Sequence, residues 1–578
     1  MRKKFFYPPS QKILSVVEGM NAKQFLLRRD FAPDEAQGED TPGVSPRELH
    51  LLPVLALAGV VDTGYLTWEH FAGGLPACTT GIFADCGAVL ASQYAIFLGV
   101  PLAVWGLIHY SLLFLTYFFN KKIFLLLAFW GFLFSGYLMY LQLGLIGALC
   151  LYCTLSALNS IVVFVISQAI FVRERKELII WSDKFLYKNL IKHILFLTKP
   201  DFIHEAMLNL GQFAGNSQLV KKTFDYKYKY QDRALKQKVA GITFENPMGL
   251  AAGFDYEGKL TQVLPSLGFG FQTVGTVTNM PYEGNPPPRL GRLPKSKSLM
   301  VNKGFKSSGA KSVAQKLSQL NFEIPVGISI GRTNSPLLKT QKDSVADIVE
   351  AFKTFEAFGV KNSYYELNIS CPNLIHDAGI DFYSPKNLEE LLTTIDKLKI
   401  KKPIFIKMPI EKTDREVLAM LAVIAKHGPS GVIFGNLQKD RKHKSLVKNE
   451  VKKFPVGNFS GKPTWERSNE LISLAYKHYK DRLVIIGCGG VFSAEDAYEK
   501  IKRGATLVQF ITGMIFEGPQ LATQINLGLT SLLVKDGLKN ISEAVGMYHN
   551  PFGGLRGTLK HYKNPYKPVG LGDWEALK

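Results

Sequence analysis

The sequence predicts two fold classes in one chain: an all-α bundle of four transmembrane helices, then an α/β barrel of eight strand–helix units with a helical extension at its amino end. Three observations predict this. The first 172 residues hold ten Lys/Arg and ten Asp/Glu, so the whole formal excess of +21 falls in 173–578. Stretches 87–120, 123–149 and 148–172 contain no Lys, Arg, Asp or Glu, and a bilayer core needs about 20 apolar residues per helix. From residue 239 the pattern changes to short apolar runs alternating with helical stretches. At 578 residues a single compact core is excluded, because such cores stop growing at roughly 250–300 residues.

Residues 1–48 read as a cytoplasmic tail with room for one amphipathic helix. No apolar run follows the basic start Arg2-Lys-Lys4, which excludes a cleavable signal peptide. Residues 49–172 hold four spans, and Pro101 divides the second uncharged stretch into a short entering segment and a true span. Arg28, Arg29 and Arg47 precede the bundle, Lys121 and Lys122 separate spans two and three, and Arg173, Arg175 and Lys176 follow span four. Positive residues favour the cytoplasmic side. Both termini are therefore expected inside, and residues 72–86 and 144–150 outside.

Residues 173–238 form an amphipathic extension, aromatic and basic over 181–235 (Trp181, Phe185, Lys188, Phe196). The catalytic half, 239–535, offers eight strands at 247–254, 271–278, 324–331, 363–370, 403–409, 431–436, 483–490 and 507–512. Eight βα units in this length predict a (β/α)8, or TIM, barrel, with its active site at the carboxyl ends of the strands. Residues 536–578 read as a tail. The basic excess suits a surface resting on anionic lipid or simply a solvated lysine-rich face. Nucleic acid is set aside, because no base-reading motif or basic-aromatic platform is present.

The six cysteines fall into two groups: Cys78, Cys86, Cys150 and Cys153 in the apolar half, Cys371 and Cys488 in the basic half. Zinc explains the first group poorly, since no His accompanies it at ligand spacing. Cys150-Leu-Tyr-Cys153 opens span four on the outer side, where two thiols three apart can form a reactive disulfide. Cys78 and Cys86 bracket a loop on the same side, and a loop pair can pass electrons to the membrane pair by thiol–disulfide exchange. A static staple, or an inert anchor, is the plainer alternative. Asp62, inside a span, marks either a functional site or the water-facing side of that helix.

Over residues 50–172 the sequence resembles the vitamin K epoxide reductase family. The resemblance rests on Asp62-Thr-Gly-Tyr-Leu-Thr, Cys78, the run Cys86-Gly-Ala-Val-Leu-Ala-Ser92, Gly99-Val-Pro101 and Cys150-Leu-Tyr-Cys153. It implies electron transfer from a thioredoxin-like protein to a quinone in the bundle. Cys150 and Cys153 would then be the quinone-side pair, Cys78 and Cys86 the shuttle, and Ser92 part of a re-entrant segment near the quinone. No thioredoxin-like domain is attached, so the thiol donor would be a separate protein on the outer face.

In the second half, glycine-rich strand ends let backbone amides approach a phosphate or a flat ring. Ile486-Gly-Cys-Gly-Gly490 closes strand seven and Phe510-Ile-Thr-Gly513 strand eight, the two positions that commonly bind phosphate in such barrels. Strand four ends Glu366-Leu-Asn-Ile-Ser-Cys-Pro-Asn373. Asn368 and Asn373 suit a planar imide or carboxylate, and Cys371 between them can take a proton as hydride leaves. Lys407 on strand five can stabilise charge on a reduced ring, while Asn302 and Asn436 offer further amides. Cys488 reads as a small core residue.

This constellation is similar to the dihydroorotate dehydrogenase family over residues 185–530. The carrying segments are Asn246-Pro-Met-Gly-Leu-Ala-Ala-Gly-Phe-Asp255, Gly275-Thr-Val-Thr278, Pro288-Arg-Leu290, Asn302 with Gly304-Phe305, Asn368-Ile-Ser-Cys-Pro-Asn373, Lys407, Asn436, Ser460-Gly461, Gly487-Cys-Gly-Gly490 and Phe516-Glu-Gly-Pro519. The resemblance implies FMN-dependent oxidation of dihydroorotate to orotate with a membrane quinone as acceptor, and an inner-membrane enzyme whose barrel is cytoplasmic. Ala252, Gly253, Thr276, Asn368, Lys407, Gly461, Gly489, Gly490, Thr512 and Gly513 would hold FMN. Asn302, Asn368, Asn373 and Asn436 would hold the substrate, with Cys371 as base, and the 181–235 helices would guide quinone to the flavin.

The chain departs from that pattern. The quinone-linked enzymes place Ser at the base position, where this chain has Cys371. Tyr256 stands where a Lys is expected, Leu437 where a Thr or Ser is expected, and Ser329 replaces an Asn near the FMN. Lys303 or Arg332 is the candidate replacement cation. A flavin enzyme for another substrate, or a thiol–quinone enzyme with a subordinate barrel, are the competing readings.

Overall fold

The computed structural model describes residues 46–74, 85–376 and 379–549; Cys78 and any helix in the first 45 residues lie outside these. The chain divides into two compact units, one of residues up to 120 with 126–170, the other of 121–125 with 171 onward.

The first unit holds helices α1 (Pro46–Ala72), α2 (Leu102–Phe119), all but the first five residues of α3 (Lys121–Tyr140), and α4 (Leu151–Ile170). All four are long and apolar enough to cross a membrane. At 1.5 Å per residue the 18 residues of α2 span about 27 Å, close to a bilayer core. Leu115, Phe118, Leu126 and Leu133 face outward, as lipid-facing side chains do. The break expected at Pro101 is present: a short helix Cys86–Leu90, capped by the Asp85 side chain, precedes a hairpin pairing Phe97 with Val100, and α2 starts directly after Pro101. The α3 helix continues as a wider π-turn to Ile146 before the chain turns into α4.

The second unit is built on β1 (Met248–Leu250), β2 (Phe271–Val277), β3 (Val326–Ile330), β4 (Tyr364–Asn368), β5 (Ile404–Lys407), β6 (Gly431–Phe434), β7 (Val484–Cys488) and β8 (Leu507–Phe510). All eight fall within the expected runs. They pair in parallel, in chain order, and close when Val508 of β8 aligns with Met248 of β1. Nearly every strand residue is buried, because helices cover the outside while side chains fill the inside. An antiparallel hairpin, 237–239 with 242–244, plugs the amino end: Phe244 packs edge-on to Phe271 at 5.4 Å. With that end sealed, the opposite end is left for chemistry.

Four helices precede the barrel: α5 (Val172–Leu186), α6 (Lys192–Leu197), α7 (Pro200–Asn216) and α8 (Gln218–Tyr228). The first of them starts at Val172, one residue before the 173 read from the sequence as the start of the extension.

Candidate active sites in the barrel and the bundle

The carboxyl ends of β2 to β5 carry one connected polar chain. Asn368 Nδ2 donates to Thr276 Oγ1 at 2.8 Å, and Thr276 and Ser329 hydroxyls meet at 2.9 Å. Ser329 Oγ donates to Glu366 Oε1 at 2.7 Å, which also lies 3.5 Å from Lys407 Nζ. A carboxylate only accepts, so the hydroxyl protons all point from Asn368 toward Glu366. The Glu366–Lys407 pair is buried, with side chains 0% and 5% exposed. Burial works against the Lys407 charge, but Glu366 outweighs it and raises the lysine's pKa. Ser329, noted in the sequence as a departure, is thus the link that hands the Thr276 hydroxyl to Glu366.

A second cluster of amides lies beside it. Asn285, fully buried, donates through Nδ2 to Asn302 Oδ1 at 2.9 Å and to the Asn373 carbonyl at 2.8 Å. Its Oδ1 receives Tyr282 OH at 2.7 Å and Asn334 Nδ2 at 3.1 Å. Asn373 Oδ1 receives Asn458 Nδ2, and Asn436 Nδ2 donates to Ser370 Oγ at 2.7 Å. Asn285 had no periodic or motif signal, being a polar residue ahead of three prolines. Glu366 had one: a carboxylate inside an apolar strand must be paired.

A cavity of about 710 Å³ runs from Tyr187, Phe196 and Met207 of the extension to Asn368, Cys371, Asn373, Lys407 and Asn436. Ala252, Gly253, Thr276, Ser460 and Thr512 also line it, as do Tyr256 and Leu437. Gly461, Gly489, Gly490, Gly513 and Asn302 are not among its lining residues; Asn302 is linked through Asn285 to Asn373, which is. Ser460 and Thr512 hydroxyls lie 2.8 Å apart. Gly461 takes φ +80°, and a Cβ there would come within 2.5 Å of the Lys297 carbonyl, so only glycine fits. The turn at Gly489 and Gly490 has φ +101° and +73° and abuts the start of a 15-residue helix at Trp465. Trp465 Nε1 is buried without a protein partner among the described residues. Hydroxyls, a helix N-terminus and a spare N–H at one end, and an ammonium and amides at the other, fit a flat ring carrying a phosphate.

Burial pushes the Cys371 thiol up to about 12, with Lys439 and Lys407 pulling the other way. That is well above the value of about 8.5 for a free thiol, so little of it is thiolate at neutral pH. Arg332 is not the replacement cation. Its guanidinium is buried and donates to Ser344 Oγ and to the carbonyls of Leu338 and His376. Lys303 does line the cavity.

In the bundle, a cavity of about 570 Å³ is lined by Cys153, Ser92, His109, Tyr110, Trp130 and Phe134, among others. Cys150 is fully buried in one cluster with Cys86. Cys86 is disulfide-bonded, whereas Cys150 and Cys153 are free thiols. Gln142 Oε1 accepts from Cys150 N at 2.8 Å, and Cys153 N donates to Cys150 Sγ at 3.4 Å. One thiol therefore faces the cavity while its neighbour faces the Cys86 side.

Residues 234–533 match the family profile of dihydroorotate dehydrogenase, and 50–168 that of the vitamin K epoxide reductase family. A dihydroorotate dehydrogenase (quinone) of Trichodesmium erythraeum is 33% identical over 381 residues, 63% of this chain and 98% of that protein. A namesake of Nostoc punctiforme is 34% identical, covering 63% and 98%. Among solved structures, the Eimeria tenella enzyme in complex with ferulenol has TM-score 0.54 and 26% identity over 62% of this chain and 99% of that one.

Proposed function

Because this chain belongs to the dihydroorotate dehydrogenase family and is an oxidoreductase, we propose that its barrel oxidises dihydroorotate to orotate and passes the two electrons to a membrane quinone. The carrying observation is the convergence of Cys371, three asparagines and Lys407, itself paired with buried Glu366, on one cavity that continues into an apolar extension. FMN is the cofactor whose ring and phosphate match the donors at the two ends, and when bound it supplies the hydride acceptor.

The residues themselves bind, orient and move a proton. Ser460, Thr512 and the Gly461 and Gly489–Gly490 turns would hold the phosphate. Thr276, Asn368 and Lys407 would bind the polar part of the ring, Lys407 kept charged by Glu366. Asn368, Asn373 and Asn436 orient the substrate, and Asn285 holds Asn302 and the Asn373 backbone in place. Cys371, as thiolate, takes the proton from the carbon next to the one that loses hydride and later releases it to water. The apolar arm between α5 and α8 receives the quinone, which leaves as hydroquinone with two electrons and two protons.

The bundle carries a second oxidoreductase function in this reading. Cys150 and Cys153 are oxidised to a disulfide as a quinone in the 570 Å³ cavity is reduced, their two thiol protons going to its oxygens. The resulting disulfide is returned to two thiols by exchange with the Cys86 pair in its dithiol form, which becomes the disulfide and is in turn reduced by a separate thioredoxin-like protein. Loop charges put these cysteines at the outer face and the barrel in the cytoplasm.

Tyr256 and Leu437 in the cavity wall favour one alternative, a flavin enzyme for a different substrate. Anaerobic mixing of FMN-loaded protein with dihydroorotate decides. Bleaching of the flavin absorbance, lost in Cys371→Ala and reversed by quinone, supports the assignment; an unbleached, folded, FMN-replete sample refutes it.

A further inference from the structure

Among the described residues, three cations line the barrel cavity: Arg292, Lys303 and Lys407. Lys407 is committed to Glu366 at 3.5 Å. Arg292 stacks on Phe196 at 4.6 Å and donates to the Phe196 and Thr198 carbonyls in the extension. Lys303 is 7% exposed and sits 5.2 Å from the Tyr256 ring centre. It also borders a polar pocket of about 270 Å³ that contains Arg289 and Lys306. It thus stands where the apolar cavity meets polar space, on the wall that includes Cys371.

What holds Lys303 is a residue of the extension. Its Nζ lies 3.2 Å from His204 Nδ1 and 3.7 Å from the half-exposed Asp201 carboxylate. An ammonium can only donate, so Nδ1 is the acceptor and the ring proton sits on Nε2, which donates to the Phe254 carbonyl at 2.7 Å. The imidazole is neutral, consistent with the burial that lowers its pKa to about 4. His204 also packs edge-on to Phe254 at 4.8 Å and to Tyr256 at 6.1 Å. One α7 side chain therefore ties the loop after β1 to Lys303. An ammonium has three N–H bonds; these two partners use two and leave one.

We propose that Lys303 is the subsite for the carboxylate of the acid substrate and that His204 is the positioning residue that presents it. This rests on the dihydroorotate reading. Tyr256 brings no charge, and an anion entering a mostly apolar cavity needs a cation. Lys407 is held by the buried Glu366 and Arg292 by Phe196 and two carbonyls of the extension, whereas Lys303, beside Tyr256, has only the half-exposed Asp201 as a charged partner; the cost is that substrate affinity is tied to the packing of α7.

The test compares orotate with uracil, which has the same ring without the carboxylate, binding to FMN-replete full-length protein and followed by the flavin absorbance shift. Lys303→Met is expected to weaken orotate about 10–100-fold, the value of a charge-assisted hydrogen bond, while leaving uracil unchanged, and Lys303→Arg to restore part of the preference. His204→Leu is expected to raise KM for dihydroorotate about 5–10-fold, a loss of roughly one hydrogen bond's worth of positioning, with kcat little changed. It serves as the second variant if Lys303→Met loses its flavin. Equal weakening of orotate and uracil in Lys303→Met, or an orotate preference unchanged in that variant while dihydroorotate bleaches the wild-type flavin, overturns the role of Lys303. A wild-type flavin that dihydroorotate leaves oxidised overturns the substrate reading, and this subsite with it.

Discussion

Glu366 Oε1 lies 3.5 Å from Lys407 Nζ inside the barrel mouth, and the same oxygen accepts the Ser329 hydroxyl at 2.7 Å. A buried pair of this kind is costly to break and cheap to remove whole. Glu366→Leu or Lys407→Met alone leaves an uncompensated buried charge and is expected to cost about 3–5 kcal/mol, whereas the double substitution costs less than the sum. Thermal unfolding of FMN-replete samples of all four proteins measures the coupling, and strict additivity would sink it.

The Cys371 thiol, pushed up to about 12 by burial, must lose its proton before it can act as base. The sign is therefore fixed: flavin reduction by saturating dihydroorotate accelerates as pH rises, since each step upward increases the thiolate fraction. Cys371→Ala is expected to slow reduction by about 100–10,000-fold and flatten the profile. Stopped-flow bleaching across neutral to alkaline pH checks both statements.

Asn285 serves four partners at once. Asn285→Ala strands two donors and two acceptors, each costing about 1–3 kcal/mol when buried and unsatisfied. Orotate affinity is expected to fall with FMN content largely retained, because Asn285 contacts the Asn302 and Asn373 side rather than Ser460 and Thr512. Titration of the flavin spectrum with orotate, beside a flavin assay, reads the two separately.

Met207 lines the apolar arm of the cavity. Met207→Trp adds bulk there and is expected to raise KM for a long-chain quinone about tenfold, near the 1–3 kcal/mol of overpacking, without slowing reduction of the flavin by dihydroorotate. Separate half-reactions reveal whether only the quinone step suffers.

Cys150→Ala with Cys153→Ala is expected to abolish thiol-driven quinone reduction, because no disulfide can then form. Dihydroorotate-driven bleaching is expected to stay as in the wild type. Loss of both activities would point to a role of the bundle beyond its own chemistry.

The linear pattern sufficed for much of this. Uncharged runs of bilayer length mark three of the four spans and a mostly apolar run the first, and the alternation of apolar runs with helices marks the eight strands, because burying apolar surface imposes a local period on any sequence. Cys371, Lys407 and the glycine turns were legible as types at strand ends. Partnerships were not. The hydrogen bond from Ser329 to Glu366, the tie from Asn285 to Asn373, the bond from Arg332 to the His376 carbonyl and the reach of His204 to Lys303 join residues 37 to 99 positions apart. Such contacts carry no period. They arise only when the barrel closes and buried polar groups, with no water available, must find partners among whatever side chains closure brings near.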